Sequence, residues 1–236
     1  MSTFGELLRA MPLPARTLAA DEPVISIRDQ ADTRSAAPLP TVSVRDEQIH
    51  ALIQQLFFQH EAGLVRNVGF TPVEASAQTA PMCIDLAKAL ACEGKYDVGL
   101  IDASADVVPL QRHLEIEAPH DSKDAWPIAS RLWLVPWRSW SKAPGLHSIT
   151  DQDLERLHDL MKGFDFSILY CAPASWLTAR IAHSCDGLVL ILTANKTRRL
   201  VAAQIKEQLT KAHIPLLGTV LAERRLPVPQ GLYRKL

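Results

Sequence analysis

Four stretches of the chain combine polar or charged side chains with positions where ligands are bound. They are Phe70-Thr-Pro-Val-Glu-Ala-Ser-Ala-Gln-Thr-Ala-Pro81, Asp102-Ala-Ser-Ala-Asp106, Tyr170-Cys-Ala-Pro-Ala174 and Ala222-Glu-Arg-Arg225. Each follows a short apolar run, and in a parallel sheet ligands bind beyond the carboxyl ends of such runs. Asp102 and Asp106 are carboxylates at one of those ends. The other reactive residue types point to packing. Cys83, Cys92, Cys171 and Cys185 form no C-x-x-C pair and sit among apolar or small residues. They read as buried free thiols in a reducing compartment. The histidines, His113, His120, His147, His158, His183 and His213 among them, form no H-x₃-H or H-E-x-x-H pair. No metal site is expected. Ser175 and Ser184 lack a G-x-S-x-G frame. Trp126, Trp133, Trp137 and Trp140 cluster with Arg131 and Arg138. Trp133 is expected in the core of its strand, Trp137 and Trp140 at an interface.

The elements that position these residues are readable from periodicity. Ile49, Leu52, Ile53, Leu56 and Phe57 follow helical spacing from Asp46 onward. Leu64 to Phe70 is strand-like. Cys83, Leu86, Ala87, Leu90 and Ala91 mark a second helix face, which Gly94 ends. Short apolar strands follow at Val98–Asp102, Leu132–Val135, Phe166–Cys171, Gly187–Thr193 and Leu216–Leu221. Thr150-x-x-Asp153 is a capping-box start for a helix lined by Leu154, Leu157, Leu160 and Met161. Thr197 is expected to cap a helix burying Leu200, Val201, Ile205, Leu209 and Ala212. Continuous apolar strands alternating with helices predict a doubly wound α/β fold, a mainly parallel sheet with helices on both faces.

Residues 1–45 read as a flexible tail, broken by Pro12, Pro14, Pro23, Pro38 and Pro40, and residues 46–236 as the folded domain. Within the tail, Phe4, Leu7, Leu8 and Met11 share one face of a short helical patch, and Val24 to Ile27 is a second apolar patch. The 236 residues are 47% hydrophobic and 22% charged, which excludes a mostly disordered chain. No apolar run approaches the roughly 18 residues of a membrane span, so a cytoplasmic protein is expected. Net charge is −1, yet residues 196–236 hold nine Lys or Arg against two acids. That imbalance suits an anionic lipid surface or an acidic partner segment. The aromatic residues are not interleaved with this basic block, so nucleic acid is not expected as a partner.

The order of these stretches resembles the cytoplasmic kinase domain of bacterial tyrosine kinases of capsule and exopolysaccharide synthesis (the CpsD/CapB type), related to MinD-like P-loop ATPases. The resemblance covers about residues 43 to 236. It is carried by Phe164-Asp-Phe through Pro173, by Cys185-Asp-Gly-Leu-Val-Leu, by Thr197-Arg-Arg, and above all by the block from Leu217 to Leu236. The chain departs from that family where the family does chemistry. The phosphate-binding loop aligns with Ala75-Ser76-Ala77-Gln78-Thr79-Ala80. Ser76 and Gln78 replace the glycines that let backbone wrap phosphate, Thr79 the lysine and Ala80 the Mg²⁺-binding hydroxyl. Tyr170 stands for a metal-holding Asp, and Ala222 for the Asn that reads the purine. Asp102 alone matches a catalytic acid. The family's tyrosine cluster is missing too, since only Tyr96, Tyr170 and Tyr233 are present.

Phosphoryl transfer depends on electrostatic groups each worth roughly 2–4 kcal/mol. Losing several together implies a degenerate P-loop-like domain with Ser76, Gln78, Thr79, Ala80, Asp102, Tyr170 and Ala222 as vestigial site positions, no catalytic residue, no cofactor and no metal. The resemblance then implies a non-catalytic kinase-like adaptor in exopolysaccharide or capsule synthesis and export. Its expected partner is the cytoplasmic part of a membrane polysaccharide co-polymerase of the chain-length-determinant type, at the inner membrane, with a homo-oligomer also in view. Two alternatives stay open. One is an ATP-dependent tyrosine kinase or ATPase with an atypical site using Asp102. The other is a MinD-like positioning protein, although neither a deviant-lysine loop nor an amphipathic C-terminal membrane helix is visible.

Overall fold

The structure, a computed structural model, describes residues 24–26, 44–59, 64–105, 109–116 and 124–223. The patch Phe4 to Met11, Asp106, His120, Tyr233 and the closing block from 224 on lie outside the described residues. Eight strands form one sheet: β1 (Val24–Ser26), β2 (Asn67–Pro72), β3 (Val98–Ala103), β4 (Trp126–Ala129), β5 (Leu132–Val135), β6 (Phe166–Cys171), β7 (Gly187–Thr193) and β8 (Leu216–Ala222). Their order is β1-β8-β7-β2-β6-β3-β5-β4. Every pairing is parallel except β4 with β5.

The helices are α1 (Val44–Ile53, continued by a π-helical turn over Gln54–Phe58), α2 (Thr79–Cys92), α3 (Leu110–His113), α4 (Trp137–Trp140), α5 (Asp151–Met161), α6 (Trp176–Ala182) and α7 (Arg199–Lys211). Side chains alternate across the pleat. Along β6, Phe166, Ile168 and Tyr170 join the cluster beneath α1 and α2, while Leu169 and Cys171 join the opposite cluster with α4 and α5. A smaller group of Ala179, Ala182, Leu188, Leu209, Ala212 and Ile214 seats α6 and α7. Helices therefore cover both faces, the doubly wound arrangement that the apolar strands predict. Among the described residues no helix is long and apolar enough to cross a membrane.

Local chemistry accounts for several boundaries. Thr150 accepts from Asp153 N while Asp153 accepts from Thr150 N, closing the capping box that starts α5. Gly94, at φ +70°, follows the end of α2 in a conformation that costs glycine little. Gly99 must lack a Cβ, because the Phe164 ring lies 2.5–2.9 Å from where one would stand.

Several expectations need correction. Val24–Ser26, read as part of a flexible tail, is a strand: it pairs parallel with β8 from Val24↔Thr219 to Ser26↔Leu221. The first helix begins at Val44 rather than Asp46. Thr197 is not the cap of α7. Its hydroxyl accepts from Thr193 N at 2.9 Å, and Arg198 holds the cap position without a side-chain bond. Leu200, expected in the buried face, is 78% exposed. Nine residues separate it from buried Leu209, and nine steps of about 100° put the two on opposite sides of a helix.

Candidate functional site

The turn after β2 sits near the middle of the sheet, between the carboxyl ends of β6 and β7. Val73 N donates to Ile191 O at 3.0 Å and Ala174 N to Pro72 O at 2.9 Å, tying the turn to both neighbours. Gln78 N donates to Ser76 Oγ at 3.3 Å, a local bond that closes the turn on itself. Gln78 is the cap residue of α2 but gives it no side-chain bond. Thr79 opens the helix fully buried, its hydroxyl unpartnered, and Ala80 is 2% exposed. Pro81 is the third helical residue, within the turn whose N–H groups have no intrahelical acceptor.

Asp102 and Tyr170 are register neighbours on β3 and β6, and both are 3% exposed. Asp102 has few lone pairs to spare for a ligand. One oxygen accepts from Ser104 N (3.0 Å) and Ser104 Oγ (2.6 Å), and the other from Leu110 N (3.0 Å). Its backbone carbonyl takes the Trp140 indole N–H at 3.0 Å. Burial raises its carboxyl above the ordinary Asp range, against the lowering effect of the Ser104 and Leu110 donors and of His113. Burial also raises the Tyr170 hydroxyl, helped by Asp102, Cys83 and Cys171. The Cys171 thiol is pushed up to about 12 by burial and then by Asp102. The Cys83 thiol is raised likewise, first by burial. At neutral pH the phenol and both thiols are therefore protonated and poor nucleophiles.

Gln78 and Ala222 meet at a gap of about 30 Å³, lined also by Arg45, Ile49, Met82, Asp85 and Glu223. Arg45 and Asp85 form an ion pair linking α1 to α2, and Ile49 is 3% exposed. A gap of this size is at the scale of one water molecule.

Ser76 and Gln78 thus lie in the turn and Thr79 and Ala80 at the start of α2, Ala222 lines the same gap as Gln78, and Asp102 and Tyr170 are buried neighbours on β3 and β6. The part of α1 that covers the gap was not anticipated, although its buried spacing was. Lys196 was missed as well. It comes from the loop before α7, and its Nζ donates to Ala75 O at 3.2 Å. Trp140 and Trp133 depart from their expected roles. Trp140 is 1% exposed and packs edge-on against Trp137 at 4.4 Å, while Trp133 is only half-buried against Phe164. An indole beside a strand end reads as surface in the sequence; here the Asp102 carbonyl satisfies its N–H and the cluster with α5 buries its ring.

No family model and no curated protein matches the chain. Solved structures do. The chimerical protein CapA2B2 superposes with a TM-score of 0.69 at 15% identity, covering 85% of this chain and 93% of that one. The kinase domain of the Escherichia coli tyrosine kinase ETK gives 0.61 at 14%, covering 88% and 94%. A ParA family ATPase from Chlorobium tepidum gives 0.54 at 14%, covering 72% and 78%. The fold is therefore the P-loop NTPase-like α/β fold seen in bacterial tyrosine kinase domains and ParA family ATPases.

Proposed function

We propose that this chain is a non-catalytic, kinase-like adaptor in bacterial exopolysaccharide or capsule synthesis and export. It would act at the inner membrane through the cytoplasmic part of a polysaccharide co-polymerase. The observation that carries the reading is the gap between Gln78 and Ala222. At about 30 Å³ it is an order of magnitude below the roughly 300 Å³ at which small-molecule pockets begin. α1 lies over it, held by Ile49 and the Arg45–Asp85 pair. The pathway rests on the sequence resemblance from Phe164 to Leu236, and the fold of the ETK kinase domain is consistent with it. The test is affinity purification of the full chain from its native host at mild detergent concentration. Co-purification of a membrane co-polymerase, unchanged by added Mg²⁺-ATP, is expected. A nucleotide-dependent catch, or none, contradicts the reading.

An ATPase or kinase with an atypical site has one observation in its favour, the Lys196 ammonium beside Ala75 O. There it stands next to the turn whose own lysine position is Thr79. ATP hydrolysis abolished by Lys196→Ala would establish that alternative. Under the adaptor reading there is no hydrolysis to abolish.

A further inference from the structure

Helix α7 carries positive charge that the domain itself does not use. From Lys196 to Lys211 five cations (Lys196, Arg198, Arg199, Lys206 and Lys211) meet one acid, Glu207. Glu207 is paired with Lys211, one helical turn away, at 2.6 Å, and Lys196 is engaged with Ala75 O. Arg198 and Arg199 are exposed and make no ion pair among the described residues. They also stand against the helix. α7 has no acid in its first turn, so two guanidinium groups occupy the end whose partial charge is already positive. That placement costs the isolated domain stability, and a negative group beside them would remove the cost.

Next to the arginines Leu200 is 78% exposed, one of three large apolar side chains exposed among the described residues, with Leu64 and Trp176. The packed side of α7 is the other one, where Leu209 and Ala212 join Leu188, Ile214 and the α6 alanines. Leu200 lies on the outer side with Ala203, Gln204, Glu207 and Lys211. The start of α7 therefore presents one apolar side chain flanked by two unpaired guanidinium groups.

We infer that this face of α7 docks an acidic segment of a different protein, whose carboxylates meet Arg198 and Arg199 and whose apolar side chain covers Leu200. A guanidinium takes a carboxylate through two parallel N–H bonds, which suits arginine to such a contact better than a diffuse charge would. Other anionic occupants match fewer of the features. A membrane-embedding face is broadly apolar, whereas polar residues surround this single leucine. A nucleic-acid backbone supplies phosphates but nothing apolar for Leu200 to meet, and residues 196–211 include no aromatic side chain on which a base could stack. A face this small supports a weak, reversible contact. The inference does not rest on the adaptor reading. Arg198, Arg199 and Leu200 take no part in the turn at 75–80, and a catalytic domain would present the same face.

Fluorescence anisotropy with the full chain tests it. The probe is a labelled synthetic peptide of Glu-Glu-Leu repeats, with oligoglutamate of equal length for comparison. Saturable binding of the leucine-containing peptide below about 1 mM is expected, tighter than that of oligoglutamate and weakened several-fold by raised salt. Arg198→Glu combined with Arg199→Glu should weaken it about tenfold or more, and the same variant should unfold at higher urea because acids now stand at the positive helix end. Leu200→Ser should weaken the leucine-containing peptide several-fold and leave oligoglutamate unchanged. Absence of saturable peptide binding overturns the proposal, as does binding that the double reversal leaves intact. A double variant that unfolds at lower urea overturns it too, since the arginines would then serve the fold. So does a tighter grip, dependent on Arg198 and Arg199, on vesicles containing phosphatidylglycerol, on duplex DNA or on a second copy in sedimentation velocity.

Discussion

Helices α2 and α7 each follow a strand near the middle of the sheet, and they are used in opposite ways. α2 buries nine residues, from Thr79 to Ala91, including its own first two. α7 is one residue shorter and fully buries only Leu209. In α2 the helix start that faces the strand ends is part of the core, with Thr79, Ala80, Asp102 and Tyr170 all buried. In α7 the helix start faces outward with Arg198, Arg199 and Leu200. The start of α2 is buried, and the start of α7 is exposed.

That contrast can be broken by mutation. The largest effect is expected from Leu86→Ala, at the fully buried centre of α2. It should cost about 2–5 kcal/mol in urea unfolding. Asp102→Ala comes next. It strands the Ser104 and Leu110 backbone donors, for a loss of about 2 kcal/mol. Its titration has a definite sign. Because burial raises the folded carboxyl, the folded state holds the proton more tightly than the unfolded chain. The Asp102 contribution is full below the ordinary Asp range and is lost as pH rises through the raised folded value. The stability difference between wild type and Asp102→Asn should therefore widen in favour of wild type as pH falls from 7 towards 4.

Smaller effects sharpen the same picture. Thr150→Ala removes the α5 capping box and should cost about 0.5–2 kcal/mol. Leu200→Ser should change monomer stability by less than about 0.5 kcal/mol, since its side chain is in solvent. A loss as large as that of Leu86→Ala would mean that α7 is packed as tightly as α2.

The central strands and the α2 face were readable in the sequence because both are buried. Phe166–Cys171 and Gly187–Thr193 are predominantly apolar runs, and Cys83, Leu86, Ala87 and Leu90 repeat at helical spacing. α7 was harder because Leu200 and Val201 adjoin a basic cluster, and apolar character alone does not say which side of a helix faces in. β1 was hidden by its length, three residues on an edge among prolines. The turn at 75–80 was read residue by residue, but its closure was not. α1 and Lys196 arrive there from distant parts of the chain, and no local pattern announces such contacts.

Isothermal titration of the full chain with Mg²⁺-ATP is the most direct test of the proposal that the chain is a non-catalytic adaptor. The account predicts no saturable heat up to about 1 mM nucleotide. It also predicts none after Ser76→Gly, Gln78→Gly and Thr79→Lys are combined, because Ala80 and Tyr170 still offer no metal ligand. Micromolar binding by the unaltered chain, accompanied by phosphate release, would contradict it.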